Sequence, residues 1–267
     1  MKLNQDFNFH SHTKRCGHAR GEDEGYVLAA MDTGFTDLGF SDHIMLPGLN
    51  QPGIRGDYNL FEDYLHSVGV LQEKYKGKIR IYKAFECEWY GELFKEYYRD
   101  LLVSKKVDYL ILGQHCYFSN GFVWYGRYAI PTQGTEAYLY DLIQGMESGF
   151  FLYVAHPDTF MSWHKRFDEQ AYQVAKEIAT KAKELDIPLE VNMGPSRWYI
   201  PKSPEDTELP YPNRRFWEVV AEVGAPCVFG VDAHEPQDYF DSDFGYFNDF
   251  AKDLGLRMVD VRKKLKK

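Results

Sequence analysis

Histidine placement constrains this chain more than any other feature. Seven of its nine histidines follow, at once or within a few residues, a stretch that reads as a β-strand: His10, His12 and His18 after the first, His43 after the second, His115 after the fourth, His156 after the fifth and His234 after the seventh. The strands are short apolar runs at 6–10, 37–41, 79–86, 109–113, 151–155, 188–192 and 227–231. Longer amphipathic patterns lie between them at 22–32, 57–75, 92–105, 135–147, 168–185, 213–223 and 244–254. Alternating strands and helices predict an α/β fold around a parallel sheet, either a barrel or a wound open sheet. Parallel strands bring their carboxyl ends to one rim, where barrel enzymes carry their active sites, so the histidines are expected to converge.

The residues around them fit metal chemistry. His10 and His12 are two apart, so on an extended strand both face one side and can reach one ion. Glu86 ends the third strand, followed by Glu88, and supplies the carboxylate that two metals need as a bridge; Asp232-Ala-His234 follows the last strand. Burying so many imidazoles and carboxylates together without metal is expensive, because each polar group needs a partner. Mixed nitrogen and oxygen donors suit zinc, manganese or iron. His66 falls inside a helical pattern and His164 in a loop, and both are read as structural.

The bulk properties narrow the classes. With 267 residues, one domain over 1–267 is expected, and a formal charge of -9 argues against a broad grip on nucleic acid. Bound divalent ions would reverse that field locally, so an anionic substrate remains compatible. The four cysteines lack a paired spacing and are read as reduced. No signal peptide or membrane-spanning run is seen, which predicts a cytoplasmic protein with no membrane partner. The basic end at 262–267 reads as a solvated helix end. Loops at 116–127, rich in aromatics, and 193–211, rich in proline, are candidates for substrate contact. Cys16 and Cys116 sit beside candidate ligands and read as packing residues.

An ordered series of motifs spans nearly the whole chain: Phe9-His-Ser-His-Thr, Arg15-Cys-Gly-His-Ala, Gly39-Phe-Ser-Asp-His, Glu86-Cys-Glu, Gly113-Gln-His, Ala155-His-Pro-Asp, Leu189-Glu-Val-Asn and Gly230-Val-Asp-Ala-His. On these the sequence resembles the polymerase-and-histidinol-phosphatase (PHP) superfamily, particularly its histidinol-phosphatase branch. The resemblance implies a distorted (β/α)7 barrel, TIM-barrel-like and single-domain. It implies three divalent ions: one held by His10, His12, Glu86 and Asp232, a second by Glu86, His115 and His156, and a third by His18, His43 and His234. A water activated by metal would attack phosphorus, with the third ion clamping phosphate oxygens. Glu86, Asp232, His234 and Arg197 would carry the chemistry.

Arg197 matches the arginine that meets phosphate in the loop after the sixth strand, although Gly194-Pro-Ser-Arg197 has one residue more than the family's usual spacing. Arg166 is the second candidate for phosphate. Tyr117 and Trp124 form either a substrate wall or a cover for core. The substrate implied is L-histidinol phosphate, cleaved to histidinol and phosphate in histidine biosynthesis. Alternatives are another small phosphorylated substrate (a nucleotide, a sugar phosphate or phosphotyrosine), an amidohydrolase, or a non-catalytic metal-binding domain. Amidohydrolases bridge their metals with a carboxylated lysine where this chain has Glu86, and non-catalytic relatives lose ligands, whereas all nine positions are filled here.

Overall fold

A computed structural model describes residues 1–119, 121–198 and 210–265. Strands β1 (Phe7–Asn8), β2 (Asp37–His43), β3 (Arg80–Cys87) and β4 (Tyr109–Leu112) pair in parallel in that order. After them come a short antiparallel hairpin, β5 (Cys116–Phe118) with β6 (Phe122–Trp124), and a second parallel set of β7 (Leu189–Asn192), β8 (Pro226–Gly230) and β9 (Arg257–Met258).

Three isolated parallel bridges join the two sets. Val154 bridges Leu112 on one side and Leu189 on the other, and Ser11 bridges Ala233 beyond β8. The sheet thereby curls through seven strand positions into a distorted barrel, the expected fold class. The fifth position is the irregular one. Ladder hydrogen bonds run from Leu152 N to Leu110 O (2.8 Å) and from Glu190 N to Val154 O (2.9 Å), but the chain turns out of the strand at His156, whose φ is 30°.

The expected helical patterns correspond to helices Asp23–Thr33, Phe61–Lys74, Lys95–Val103, Pro131–Glu147, Glu169–Leu185, Arg214–Val223 and Phe244–Leu254. Glu169–Leu185 shows why. The Asp168 side chain accepts from Ala171 N, and Ala171, Val174, Ala175, Ile178, Ala179 and Ala182 form a buried stripe at helical spacing. The helix ends where Asp186 adopts φ 48°. Sequence reading missed the hairpin, read as loop 116–127, and the short helices Met161–His164, Gly194–Trp198 and Asp238–Asp241, whereas Arg262–Leu265 is the helix end expected at 262–267. Such pieces are too short to show a period.

The main core lies under the helices, and a second cluster fills the barrel itself with Phe7, Phe9, Ala84, Tyr109, Ile111, Tyr153, Ala155 and Val228. Side chains alternate along a strand, so the face that carries Ala84, Ile111 and Val228 carries Glu86, Gly113 and Gly230 two residues on. Those two glycines are required by space. A Cβ on Gly113 would lie 1.9 Å from Glu86 Oε1, and one on Gly230 would lie 1.7 Å from Glu190 Oε1. The barrel is therefore packed with hydrocarbon below and with carboxylates above. No helix among the described residues is long and apolar enough to cross a membrane.

Candidate metal centre

All nine candidate ligands meet at the carboxyl-terminal mouth. His10 and His12 follow β1, His43 ends β2, Glu86 sits near the end of β3, His115 follows β4, His156 follows the Val154 bridge, and Asp232 and His234 follow β8. His18 reaches the same place from the turn after Lys14–Cys16, with its Nε2 3.1 Å from His234 Nε2. His156 and Asp232 hold left-handed φ values of 30° and 53°, conformations that cost about 1–3 kcal/mol each and concentrate at functional sites.

Glu86 divides the cluster. Its Oε2 lies 3.5 Å from both His10 Nε2 and His12 Nε2, which in turn lie 3.4 and 3.1 Å from Asp232 Oδ1. Its Oε1 lies 2.8 Å from His156 Nε2 and 3.5 Å from His115 Nε2. One carboxylate thus serves two sets of donors, the geometry of a bridging ligand. The third set is less separate: His43 Nδ1 is also 3.1 Å from Glu86 Oε2, and the His12 and His234 rings stack at 4.0 Å.

The charges explain which groups hold protons. Burial alone would lower His12, but a hydrogen bond to Asp232, the Asp42 carboxylate 3.6 Å from Nδ1 and the charges of Asp232 and Glu86 outweigh it, lifting it to about 9. Burial likewise opposes protonation of His10 and His156, and their acidic neighbours, Glu190 foremost for His10 and Glu86 for His156, raise both. His234 is driven down to about 3 by burial and by the charge of His12. Burial would raise Glu86 and Asp232, yet the surrounding imidazoles hold both well below the usual carboxylate range. Protonated imidazoles here neutralise carboxylates that metal cations could neutralise instead.

The donor set fits such ions. Among the described residues, His10 Nε2, His12 Nδ1, His43 Nδ1 and His156 Nδ1 are buried ring nitrogens without a hydrogen-bond partner, an arrangement rare in folded proteins unless something else takes the lone pair. Groups of three donors, including His10, His12 and Glu86, and His12, His43 and His234, lie within 4.8 Å of one another. Imidazole nitrogens with carboxylate oxygens suit divalent transition metals.

Sequence reading missed Glu190. This buried carboxylate lies 2.9 Å from His10 Nδ1, accepts from His156 N at 3.1 Å and accepts from Asn192 Nδ2 at 2.9 Å. It thereby fixes which His10 nitrogen carries the proton and leaves Nε2 facing the cluster. An acid inside the apolar strand 188–192 was the available signal.

Above the cluster opens a cavity of about 940 Å³, lined by His18, His115, Trp124, Trp163, Arg197 and Tyr211 among others. The aromatic candidates separate. Trp124 borders the cavity with its ring 6.1 Å from His115, whereas Tyr117 packs on Tyr125 and Tyr128 at 5.5 and 5.4 Å and is absent from the lining. Arg166 is exposed beyond the helix Met161–His164 and does not line the cavity. Arg197 does line it, but most of its donors are spent on the protein. Nη1 donates to Val231 O (2.8 Å) and Ser242 Oγ (3.0 Å), Nη2 donates to Asp232 O (2.8 Å), and Nε meets Asp238 at 3.1 Å. Helix Gly194–Trp198 directs the guanidinium onto the backbone of Asp232, so its visible work is to hold that residue in place. Of the loop 193–211, residues 199–209 lie outside the described residues. His66 is exposed, and His164 bonds Asp168 and Thr135 away from the cluster, as structural residues would. The four cysteines are free and buried.

A family model, the PHP domain, matches residues 8–194. The chain belongs to the PHP domain family. A relative from Deinococcus radiodurans, described as a "Probable histidinol-phosphatase", is 26% identical over 95% of both chains. Among solved structures, the histidinol phosphate phosphatase of Lactococcus lactis, complexed with zinc, L-histidinol and phosphate, aligns with a TM-score of 0.72 at 17% identity over 96% of this chain and 95% of that one. The hisK protein of Listeria monocytogenes aligns with a TM-score of 0.68 at 21% identity over 87% and 96%. At these identities the structural likeness shows the fold, a distorted barrel.

Proposed function

We propose that this PHP protein is a metal-dependent phosphatase that hydrolyses L-histidinol phosphate to histidinol and phosphate. The observation that carries the chemistry is the Glu86 carboxylate shared between two donor sets at the floor of an open cavity. The 26% identical relative, described as a histidinol phosphatase, supports the substrate. Three divalent ions, zinc, manganese or iron, fit the nine donors: His10, His12, Glu86 and Asp232; Glu86, His115 and His156; His18, His43 and His234.

Bound there, divalent ions supply a water of lowered pKa and neutralise phosphate charge. The protein's own residues do the rest. Glu86 and Asp232 provide the negative charge that holds cations at the mouth, and Glu190 orients His10. Arg197 holds the Asp232 backbone and retains an edge on the cavity for a phosphate oxygen. Trp124, Trp163 and Tyr211 supply apolar wall for the organic half of the ester, and the cavity is large enough for an imidazole-bearing chain. One PHP-type domain over 1–267, working in the cytoplasm in histidine biosynthesis without nucleic acid, completes the reading.

The test is phosphate release from a panel of phosphomonoesters by metal-stripped protein reloaded with zinc or manganese. Histidinol phosphate exceeding the others by orders of magnitude in kcat/KM supports the assignment. Equal, weak turnover of all esters sinks the substrate while keeping the chemistry, and no turnover with metal bound sinks both.

A further inference from the structure

Beside the cluster lies a buried ion pair that the proposed chemistry does not use. Arg55 and Glu88 are 2% and 1% exposed, and Arg55 Nη2 donates to Glu88 Oε2 at 2.8 Å. The other Glu88 oxygen, Oε1, is 3.2 Å from His115 Nδ1, while His115 Nε2 faces Glu86. A carboxylate at Nδ1 places the ring proton there and leaves the Nε2 lone pair free. Arg55 is itself anchored: Nε donates to Gln51 Oε1 at 2.9 Å and Nη1 to Ile44 O at 3.0 Å. Its guanidinium also sits 5.2 Å from the Phe122 ring on β6, the strand that ends in Trp124. One buried cation therefore ties together the loop after β2, the end of β3 and the hairpin that carries a cavity wall. A buried pair of this kind is a poor source of stability, since desolvation offsets most of its attraction, so its retention here calls for another reason.

We propose that Glu88 and Arg55 are positioning residues that set the His115 tautomer and fix the hairpin bearing Trp124 relative to it. The proposal rests on His115 being a metal ligand. Two variants separate the roles. In Glu88→Gln, one amide oxygen cannot serve both Arg55 and His115; when it serves Arg55, the amide NH2 faces Nδ1 and shifts the ring proton to Nε2. In the double variant Arg55→Met with Glu88→Leu, both charges go together, so no buried charge is stranded and the metal-free fold is expected to melt with the wild type.

The experiment is zinc titration of metal-free protein by calorimetry or chelator competition, alongside kcat and KM for histidinol phosphate. The expected result is a 10- to 100-fold weaker affinity for one zinc equivalent in both variants, with kcat falling more than KM rises, in the range typical for lost partners of ligating histidines. Zinc affinities unchanged in both variants, where His115→Ala does weaken one, overturn the positioning role alone. Unchanged zinc binding in His115→Ala removes the ligand assignment beneath it. Failure of both variants to fold without metal assigns the pair to the framework and also overturns the proposal.

Discussion

At the amino-terminal end of the barrel, buried Asp37 meets two arginines: Arg80 Nε at 2.6 Å and Arg262 Nη1 at 2.9 Å. Arg262 also reaches Asp6 and Asp260, each at 2.9 Å, and lies 4.9 Å from the Phe7 ring that closes the barrel floor. At the carboxyl-terminal end, Glu86, Glu190 and Asp232 are faced by imidazoles, and four buried ring nitrogens there have no hydrogen-bond partner among the described residues. Both ends bury acids, but the counter-charges differ in kind. Guanidinium stays charged at any physiological pH, whereas an imidazole can give up its proton and then offer a lone pair. The lower end is an ion network of fixed charges; the upper end presents donors that divalent ions could take in place of protons.

The largest expected effect comes from breaking the upper end at its bridge. Glu86→Gln removes the charge both donor sets share, and kcat/KM for histidinol phosphate is expected to fall on the order of 10³-fold or more, with metal content per chain falling as well. A fully loaded, active Glu86→Gln enzyme would break the comparison.

The pH dependence of metal-free stability sharpens it. His12 is lifted from 6.5 to about 9, so its contribution is fully present below pH 6.5 and is lost as pH rises through about 9; His10 and His156 act in the same sense. His234, lowered to about 3, and His43, also lowered, stay neutral while the unfolded chain takes up protons, so stability is also lost as pH falls below 6.5. The depressed acids Glu86 and Asp232 add a further loss at more acid pH, as they are forced to protonate. Urea unfolding of metal-free protein should therefore peak near pH 6.5, and zinc should abolish the alkaline decline, because ligating imidazoles are deprotonated already. A flat profile without metal would contradict the assigned proton holders.

The lower end predicts the opposite behaviour. Arg262→Met strands part of the Asp37 charge and is expected to lower stability by about 1–3 kcal/mol, equally at pH 5 and pH 9 and with or without zinc, leaving kcat unchanged. Loss of activity in this variant would show that the ends are coupled. The smallest effect belongs to the cavity wall: Trp124→Ala is expected to raise KM a few-fold, by about 1 kcal/mol, with kcat within a factor of two or so. A matching fall in kcat would instead place Trp124 close to the reacting bond.

Much of this arrangement was legible from residue order. Apolar runs located seven strand positions, and the parallel rule then sent His10, His12, His43, Glu86, His115, His156, Asp232 and His234 to one rim. Side-chain partners were not legible: Glu88 and Glu190 stand in the motifs, but residue order does not show that the fold buries Glu88 between Arg55 and His115 and Glu190 against His10. Glycines 113 and 230 acquire their purpose only when a neighbouring strand aims a carboxylate at them. Arg197 shows a different limit: the family resemblance placed it at the mouth despite its extra residue of spacing, but only the helix Gly194–Trp198 reveals that its donors turn to the Asp232 and Val231 carbonyls. Tyr117 and Trp124 lie on one hairpin, and only its pairing shows which faces the cavity.

The most direct test of the account is anomalous diffraction at the zinc edge from zinc-loaded crystals. Three ions are predicted, two of them on opposite oxygens of Glu86, with His10, His12 and Asp232 on one and His115 and His156 on the other, and the third among His18, His43 and His234. A single ion, or ions that leave Glu86 uncoordinated, would contradict it.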